Sequence, residues 1–303
     1  MSTQTSQPPP GKERTMKIHL NCIAVFIMML FPPNLLSAAE KCEIYWLHPE
    51  QPPFIITKGY GTGMGIMDRT EKFLVQHLKD CVHTFESANY ERIIRTIKSR
   101  DNACGIPLYR TPERDQFVEF SVPYRVAIPN AVITLNTSRK KLAPYINDKG
   151  YITLEDMIVA GYHIGIAQGR VYRSIIDETL AKYKNDPRIV VQPNAENMVD
   201  SLVKMMLQGK IDALIAYPWE GQYVAKTMNI KIISIPVAGM DDYGLSMMGC
   251  AKTRKGREII RRVNEIILKY RTSPEFMDFA EHWLDPSAIE RYRMFTRKEF
   301  GTD

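Results

Sequence analysis

The segment 111–124 contains an arginine, Arg114, that is well placed to bind an anion. The polar turn 111–114 ends in the fixed positive charge of Arg114, and three aromatic residues anchor the chain that leaves it: Phe117, Phe120 and Tyr124. A guanidinium on a turn above an apolar β-sheet is suited to bidentate capture of a carboxylate. The alternative is an ordinary surface loop with one solvated arginine, and the rest of the chain must decide between them.

The bulk composition indicates a globular protein of one or two domains. The chain has 303 residues, 45% of them hydrophobic and 24% charged, which is ordinary for a soluble fold with a real core. The formal charge of +6 is spread along the sequence rather than concentrated in one run. A nucleic-acid partner is therefore not expected.

The N-terminus has the features of an export signal. Basic residues precede an apolar run, 22–31, and small residues at 37–39 follow it. We predict a cleavable signal peptide over 1–39 and a periplasmic mature protein. Met16 is an alternative start, which would make 1–15 an over-extension of the reading frame. No other stretch is long and apolar enough to predict a transmembrane helix.

Four cysteines follow the predicted cleavage site: Cys42, Cys81, Cys104 and Cys250. An even number in an oxidising compartment suggests disulfides, and three pairings are open. The absence of a C-x-x-C motif argues against a zinc or thioredoxin-type site.

Beyond the signal, short apolar strands alternate with amphipathic helices, which predicts an α/β fold with largely parallel sheets. The predicted strands cover 43–47, 82–85, 104–108, 132–135, 163–167, 189–191, 211–216, 230–235 and 243–251. Helical stripes lie within 66–78, 90–97, 153–159, 172–180, 198–207, 217–228, 259–270 and 276–283. No nucleotide-binding, zinc-protease or hydrolase motif is present, so we expect no cofactor and no metal.

A string of short motifs from 41 to 284 resembles the bacterial extracellular solute-binding proteins of family 3, periplasmic proteins associated mainly with polar amino-acid uptake. The motifs, in order, are Pro52-Pro53-Phe54, Gly65 at a helix start, the turn 111–114 with 120–124, Gly169, 209–213, Tyr243-Gly244 and Trp283.

The resemblance implies a two-lobed periplasmic binding protein type 2 fold. Each lobe would be a mostly parallel sheet flanked by helices, two crossover strands would join them, and hinge closure would trap a ligand in the cleft. The first lobe would contain 40–128 and 240–295, the second 129–239, and 296–303 would form a C-terminal tail. Neighbouring strands in this fold imply the disulfides Cys42–Cys81 and Cys104–Cys250.

The resemblance also assigns ligand-binding roles. Arg114 matches the arginine that clamps the ligand carboxylate, and Gly169 matches a helix start that offers backbone N–H groups to it. Tyr90 matches an aromatic residue that packs on the ligand, unless it is simply a core residue of its helix. Phe54 would lie at the cleft edge, unless it only packs locally.

Three positions depart from the family pattern: Tyr109, Arg170 and Tyr217. Tyr109 replaces a small hydroxyl residue, and Arg170 replaces a threonine, so that a second cation either faces the cleft or points to solvent. Tyr217 stands where amino-acid binders often carry an aspartate for the ligand ammonium, and Glu220 could replace that charge only with a favourable helix rotation. Trp219 beside it is either a stacking platform or a surface-packed indole.

These departures favour an anionic, carboxylate-bearing ligand over a standard α-amino acid. We expect a monomeric binding protein, not an enzyme, that delivers the ligand to an ABC-type permease or a membrane sensor. One alternative is a ligand-sensing protein with a degenerate cleft. Another is a periplasmic dehydratase on the same fold, with Glu220 as general acid.

Overall fold

A computed structural model describes residues 1–2, 41–193 and 198–301, so the predicted signal peptide lies outside the described residues apart from its first two. The strands are β1 (Glu43–His48), β2 (Val82–Ser87), β3 (Ala103–Leu108), β4 (Val118–Phe120), β5 (Arg125–Ala127), β6 (Ala131–Leu135), β7 (Ile164–Ala167), β8 (Ile189–Gln192), β9 (Ala213–Ala216), β10 (Ile232–Pro236) and β11 (Gly244–Ala251). The helices are α1 (Ile66–His77), α2 (Tyr90–Ser99), α3 (Arg139–Leu142), α4 (Leu154–Val159), α5 (Ser174–Lys182), α6 (Met198–Leu207), α7 (Pro218–Thr227), α8 (Arg254–Tyr270), α9 (Pro274–Glu281) and α10 (Pro286–Phe300).

The strands form two separate sheets, which confirms the two-lobed α/β fold. The first sheet has the order β2-β1-β3-β11-β4, with β5 also paired to β11, and the second has the order β10-β6-β9-β7-β8. Pairing is mixed: β2, β1 and β3 are parallel, as are β8, β7 and β9, whereas β11 and β6 run antiparallel to their neighbours. The antiparallel pairs arise because the chain crosses between the sheets and returns. The exact lobe boundaries stay predictions.

Helices cover the sheets because their apolar stripes need burial. In α2, Asn89 is the N-cap, and its side chain accepts a hydrogen bond from the Arg92 N–H at 2.9 Å. Ile93 and Ile97 lie on the inner face, each 1% exposed. Burying one such side chain contributes about 2 kcal/mol, so the stripe fixes how the helix packs. No helix of the described chain is both long and apolar enough to cross a membrane.

Two disulfides join neighbouring strands of the first sheet, and they are the pairs that the resemblance implies. Cys42 bonds to Cys81 immediately before the parallel strands β1 and β2. Cys104 and Cys250 face each other across the antiparallel pair β3 and β11. The second bond therefore fixes the returning strand to the strand that leads toward the turn at Arg114.

Contacts outside the crossover strands also connect the lobes. The Lys226 ammonium on α7 donates to the His282 carbonyl at 2.6 Å, and the Ser287 hydroxyl on α10 donates to the Ser234 carbonyl at 2.9 Å. The segment predicted as a C-terminal tail is helical as far as Phe300, because α10 continues through it. The C-terminal helix thus touches both lobes.

Candidate functional site

A cavity of about 410 Å³ lies between the two lobes. Its walls come from the carboxyl ends of strands: Tyr109 follows β3, Gln168 follows β7 and Tyr217 follows β9. Ligands of open α/β sheets bind at such strand ends, because the loops there meet at one edge. Seven of the eight residues predicted to bind ligand line this cavity: Phe54, Tyr90, Tyr109, Gly169, Arg170, Tyr217 and Glu220.

Aromatic rings form much of the cavity wall. Trp219 is 3% exposed, stacks on Tyr217 with ring centroids 5.4 Å apart, and meets Phe54 of the other lobe edge-on at 5.5 Å. Trp219 is therefore a packed wall of the cavity rather than a surface indole. Tyr90 and Tyr109 remain 41% and 54% exposed, so their rings are free to contact a ligand.

The loop that carries Phe54 is held by a carboxylate at the start of α1. The Asp68 Oδ2 atom accepts hydrogen bonds from the Ile56 N–H at 3.0 Å and the Gly65 N–H at 2.9 Å. A Cβ atom at position 65 would lie 2.4 Å from the Phe54 carbonyl oxygen, closer than any side chain tolerates. Glycine at 65 thus lets the loop pack against the helix and places Phe54 at the cavity.

Arg170 turns into the cleft, where Glu220 neutralises it. A guanidinium nitrogen lies 2.7 Å from the Glu220 Oε2 atom, and the guanidinium carbon lies 4.9 Å from the centre of the Tyr217 ring. Burial disfavours the charged guanidinium, but Glu220 outweighs this effect and raises the pKa of Arg170. The same Glu220 oxygen, Oε2, also accepts the Tyr217 N–H at 3.1 Å, so both bonds fall on one oxygen of the carboxylate.

The helix expected directly after Gly169 begins instead at Ser174. The Arg170 N–H donates to the Ala167 carbonyl at 3.3 Å and so is already bonded within the turn. Tyr172 explains the delay: its ring is 1% exposed, and its hydroxyl accepts the Ala167 N–H at 2.8 Å, which draws the intervening chain inward. Gly169 therefore lines the cavity from a turn rather than from the first residue of a helix, and its role in binding a carboxylate stays a prediction.

Arg114, the predicted carboxylate clamp, is the one predicted residue that does not line the cavity. One guanidinium nitrogen donates to the Tyr109 carbonyl at 2.7 Å. The positive charge of Arg114 therefore lies next to Tyr109, which does line the cavity. Arg110 is by contrast ion-paired with Asp115 at 2.8 Å. Within the described parts of the chain, no carboxylate forms an ion pair with Arg114.

The cavity offers neutral phenols and no metal site. Partial burial at the cavity raises the pKa of both Tyr90 and Tyr109, so each presents a neutral hydroxyl at physiological pH. Between 41 and 301, among the described residues, no group of three or more His, Cys, Asp or Glu side chains could hold a metal ion.

Several residues that line the cavity were not predicted from the sequence. Residues of these types are common, and only the fold brings these particular ones to the cavity. They are Gln51, Pro107, Ala127, Met198 and Ser246. The only usable signal was for Gln51, which directly precedes the Pro-Pro-Phe motif.

Below the Phe54 loop, a buried histidine–glutamate pair should make stability depend on pH. His48 and Glu71 lie 2.9 Å apart. Burial raises the pKa of Glu71, whose usual value is 4.5, and although burial opposes the charged imidazole, Glu71 raises the pKa of His48 above 6.5. In both cases the native state binds more protons than the unfolded state, so the free energy of unfolding should fall as pH rises from about 5 to 8.

Urea unfolding at several pH values tests this effect, with Glu71→Gln as the comparison because glutamine keeps the shape and removes the charge. The wild type should lose on the order of 1 kcal/mol more than the variant between pH 5 and 8. Equal slopes for the two proteins would contradict the assignment.

Comparison with known proteins places most of the chain in one family. The model of the bacterial extracellular solute-binding proteins, family 3, matches residues 46–286. No curated protein is similar enough to count as a match.

Three solved structures of similar fold are solute-binding proteins or substrate-binding domains by name. The second substrate-binding domain of GlnP from Lactococcus lactis, in its open conformation, is 15% identical, with a TM-score of 0.59 over 81% of this chain and 96% of that one. An ancestral cationic amino acid solute-binding protein, AncCDT-1, is 17% identical, with a TM-score of 0.59 over 80% and 96%. The probable amino-acid ABC transporter extracellular-binding protein YtmK from Bacillus subtilis is 17% identical, with a TM-score of 0.55 over 81% and 99%. At these identities the likeness establishes the fold alone.

Proposed function

Because this chain belongs to the bacterial extracellular solute-binding proteins of family 3, we propose that it captures a small carboxylate-bearing solute in the interlobe cavity. It would present the solute to an ABC-type permease or a membrane sensor. Residues 1–39 would direct export to the periplasm and be removed there. Two structural relatives carry ABC-transporter or substrate-binding names, which supports a role in uptake.

The main support for the proposal is that, of two arginines at or beside the cavity, only one is paired with a carboxylate. Arg170 is paired with Glu220 at 2.7 Å, so the two charges cancel inside the cavity. Arg114 forms no ion pair with the described residues and has one bond to the Tyr109 carbonyl. The uncompensated charge beside the cavity is therefore positive, and a ligand carboxylate would complement it through charge-assisted hydrogen bonds. Movement of the guanidinium past Tyr109, or closure of the cleft, would bring the two groups together.

The aromatic walls indicate the character of the rest of the solute. Phe54, Trp219 and Tyr217 present ring faces and edges, and Tyr90 and Tyr109 add neutral hydroxyls. A planar or apolar body would bury area against these rings at little cost in conformational entropy. The usual position for an ammonium-binding carboxylate holds Tyr217, and the nearby Glu220 carboxylate is already bonded to Arg170 and a backbone N–H. This cavity would consequently bind a carboxylate with an aromatic or apolar body.

Native mass spectrometry of gently purified protein tests the proposal most directly. The expected result is a co-purified small carboxylic acid that leaves on mild activation. A solute without any acidic group would contradict the proposal. Turnover of prephenate by the same preparation would instead place the protein among the dehydratases that share this fold.

A further inference from the structure

The disulfide Cys42–Cys81 has a charged neighbour that its place beside the strands does not require. The Arg262 side chain on α8 places one guanidinium nitrogen, Nη1, 3.1 Å from the Cys81 sulfur and 3.3 Å from the Cys42 sulfur. A disulfide sulfur is neutral and accepts hydrogen bonds only weakly. The same contact would be much stronger with a thiolate, because both partners would then carry a charge.

Asp80 holds the guanidinium in this orientation. Its carboxylate lies 2.5 Å from the second terminal nitrogen, Nη2, so one branch of the Arg262 fork meets a carboxylate and the other meets the two sulfurs. The Asp80 side chain is 67% exposed, whereas that of Arg262 is 22% exposed. Water and salt weaken the attraction between an exposed carboxylate and its partner, so the arginine still presents positive charge to the sulfurs.

The two disulfides of the first sheet differ in their access to solvent. Cys104 and Cys250 are each 0% exposed between β3 and β11. Cys42 is partly exposed and Cys81 is 8% exposed, and the strand that follows Cys81, β2, is the edge strand of the sheet. An attacking thiolate can therefore reach the Cys42 sulfur, whereas the surrounding chain shields both sulfurs of the second bond.

We propose that Cys42–Cys81 is a redox-active disulfide that exchanges with dithiol reductants, and that Arg262 activates it by stabilising the Cys81 thiolate. A thiolate of the dithiol attacks the Cys42 sulfur, forms a mixed disulfide with it and expels Cys81 as a thiolate beside the guanidinium. The second sulfur of the reductant then displaces Cys42. The reductant becomes an intramolecular disulfide and gives up two electrons and two protons. Cys42 takes one proton, and the other goes to solvent while Cys81 stays a thiolate.

Opening this bond removes one link at the edge of the first sheet. The backbone ladder between β1 and β2, which pairs 43–48 with 82–87, does not include either cysteine. The second disulfide, between β3 and β11, is not involved. The reduced protein is therefore expected to stay folded, so the reactivity of its thiols can be measured.

Dithiothreitol at pH 7 is the probe for the folded protein with both disulfides formed. Acid quenching, alkylation and peptide mass spectrometry give the rate at which each disulfide opens. Cys42–Cys81 should open at least about 10-fold faster than Cys104–Cys250. Arg262→Ala should slow its opening by about 5-fold or more, because the leaving thiolate loses its stabilising charge.

Arg261→Ala is the matched control for this rate. Arg261 is the neighbouring arginine on α8, but its guanidinium is bonded to Glu258 and Glu265 rather than to a sulfur. Its loss should leave the opening rate of Cys42–Cys81 unchanged.

The reactivity of Cys81 in the reduced protein distinguishes thiolate stabilisation from a merely structural role of Arg262. The pH profile of its alkylation by iodoacetamide should have a midpoint at least about one unit below the value of about 8.5 for an ordinary cysteine. Arg262→Ala should return the midpoint to about 8.5 or above. Arg262→Lys should keep part of the decrease, because the positive charge remains.

Three results would overturn the proposal. One is faster opening of Cys42–Cys81 that Arg262→Ala does not slow, since exposure alone would then explain the difference. Another is a rate for Cys42–Cys81 equal to or below that of Cys104–Cys250. The third is a Cys81 midpoint of about 8.5 or above in the wild type. None of these measurements involves the cavity, so their outcome is independent of the proposed function.

Discussion

Replacing both Cys104 and Cys250 with alanine is expected to lower the free energy of unfolding by about 3 to 5 kcal/mol. The bond closes a loop with a sequence separation of 146 residues, so its loss releases a large conformational entropy in the unfolded chain. Both cysteines are 0% exposed between β3 and β11, so the two missing sulfur atoms also leave a small packing defect. Urea denaturation measures the effect.

The Cys42→Ala, Cys81→Ala double variant is the matched control. Its bond closes a separation of only 39 residues, and its loss should cost about 1 kcal/mol less than the loss of Cys104–Cys250. If the variant without Cys42–Cys81 proved the less stable of the two, loop closure would not be the dominant source of the stabilisation.

Replacing Arg114 with alanine is expected to weaken binding of 3-phenylpropanoate, a carboxylate with an aromatic body, by about 100-fold, the equivalent of about 3 kcal/mol. The guanidinium supplies the uncompensated positive charge beside the cavity, and alanine supplies neither charge nor hydrogen-bond donors. The remaining bond of the side chain, to the Tyr109 carbonyl, lies at the surface of the turn, so the fold should survive. Calorimetry measures the affinity, and the thermal midpoint of the ligand-free variant checks the fold.

Arg110→Ala is the control for this experiment, because Arg110 lies four positions away and is paired with Asp115. Its loss should change affinity by less than about 3-fold, in keeping with an exposed ion pair. A larger effect for Arg110 than for Arg114 would show that the wrong arginine has been assigned. Arg114→Lys should give an intermediate affinity, since an ammonium keeps the charge but loses the bidentate geometry.

Local patterns in the sequence were enough to predict the strands and the apolar faces of most helices. Apolar runs bounded by turn residues predicted the strands, and the 3.6-residue period predicted the apolar stripe within 90–97, whose Ile93 and Ile97 are buried in α2. The helix α10 was missed, although Asp285 followed by Pro286 is a typical N-terminal signal and the Asp285 side chain accepts two backbone N–H groups.

The local sequence pattern could not predict the directions in which the side chains of the site point. Nothing near Arg170 in sequence indicates that its partner is Glu220, 50 residues away in the first turn of α7. The burial of Tyr172 delays the start of α5, and this tertiary effect overrides the local preference for a helix after Gly169.

The bond between Cys104 and Cys250 has a consequence for the whole second lobe. The covalent ring that it closes contains every strand of the second sheet, from β6 to β10. A single backbone cut anywhere inside that ring leaves two fragments that remain linked. Proteolytic nicking of the second lobe can therefore open its loops without releasing a piece of the protein, and the nick becomes visible on a gel only after reduction.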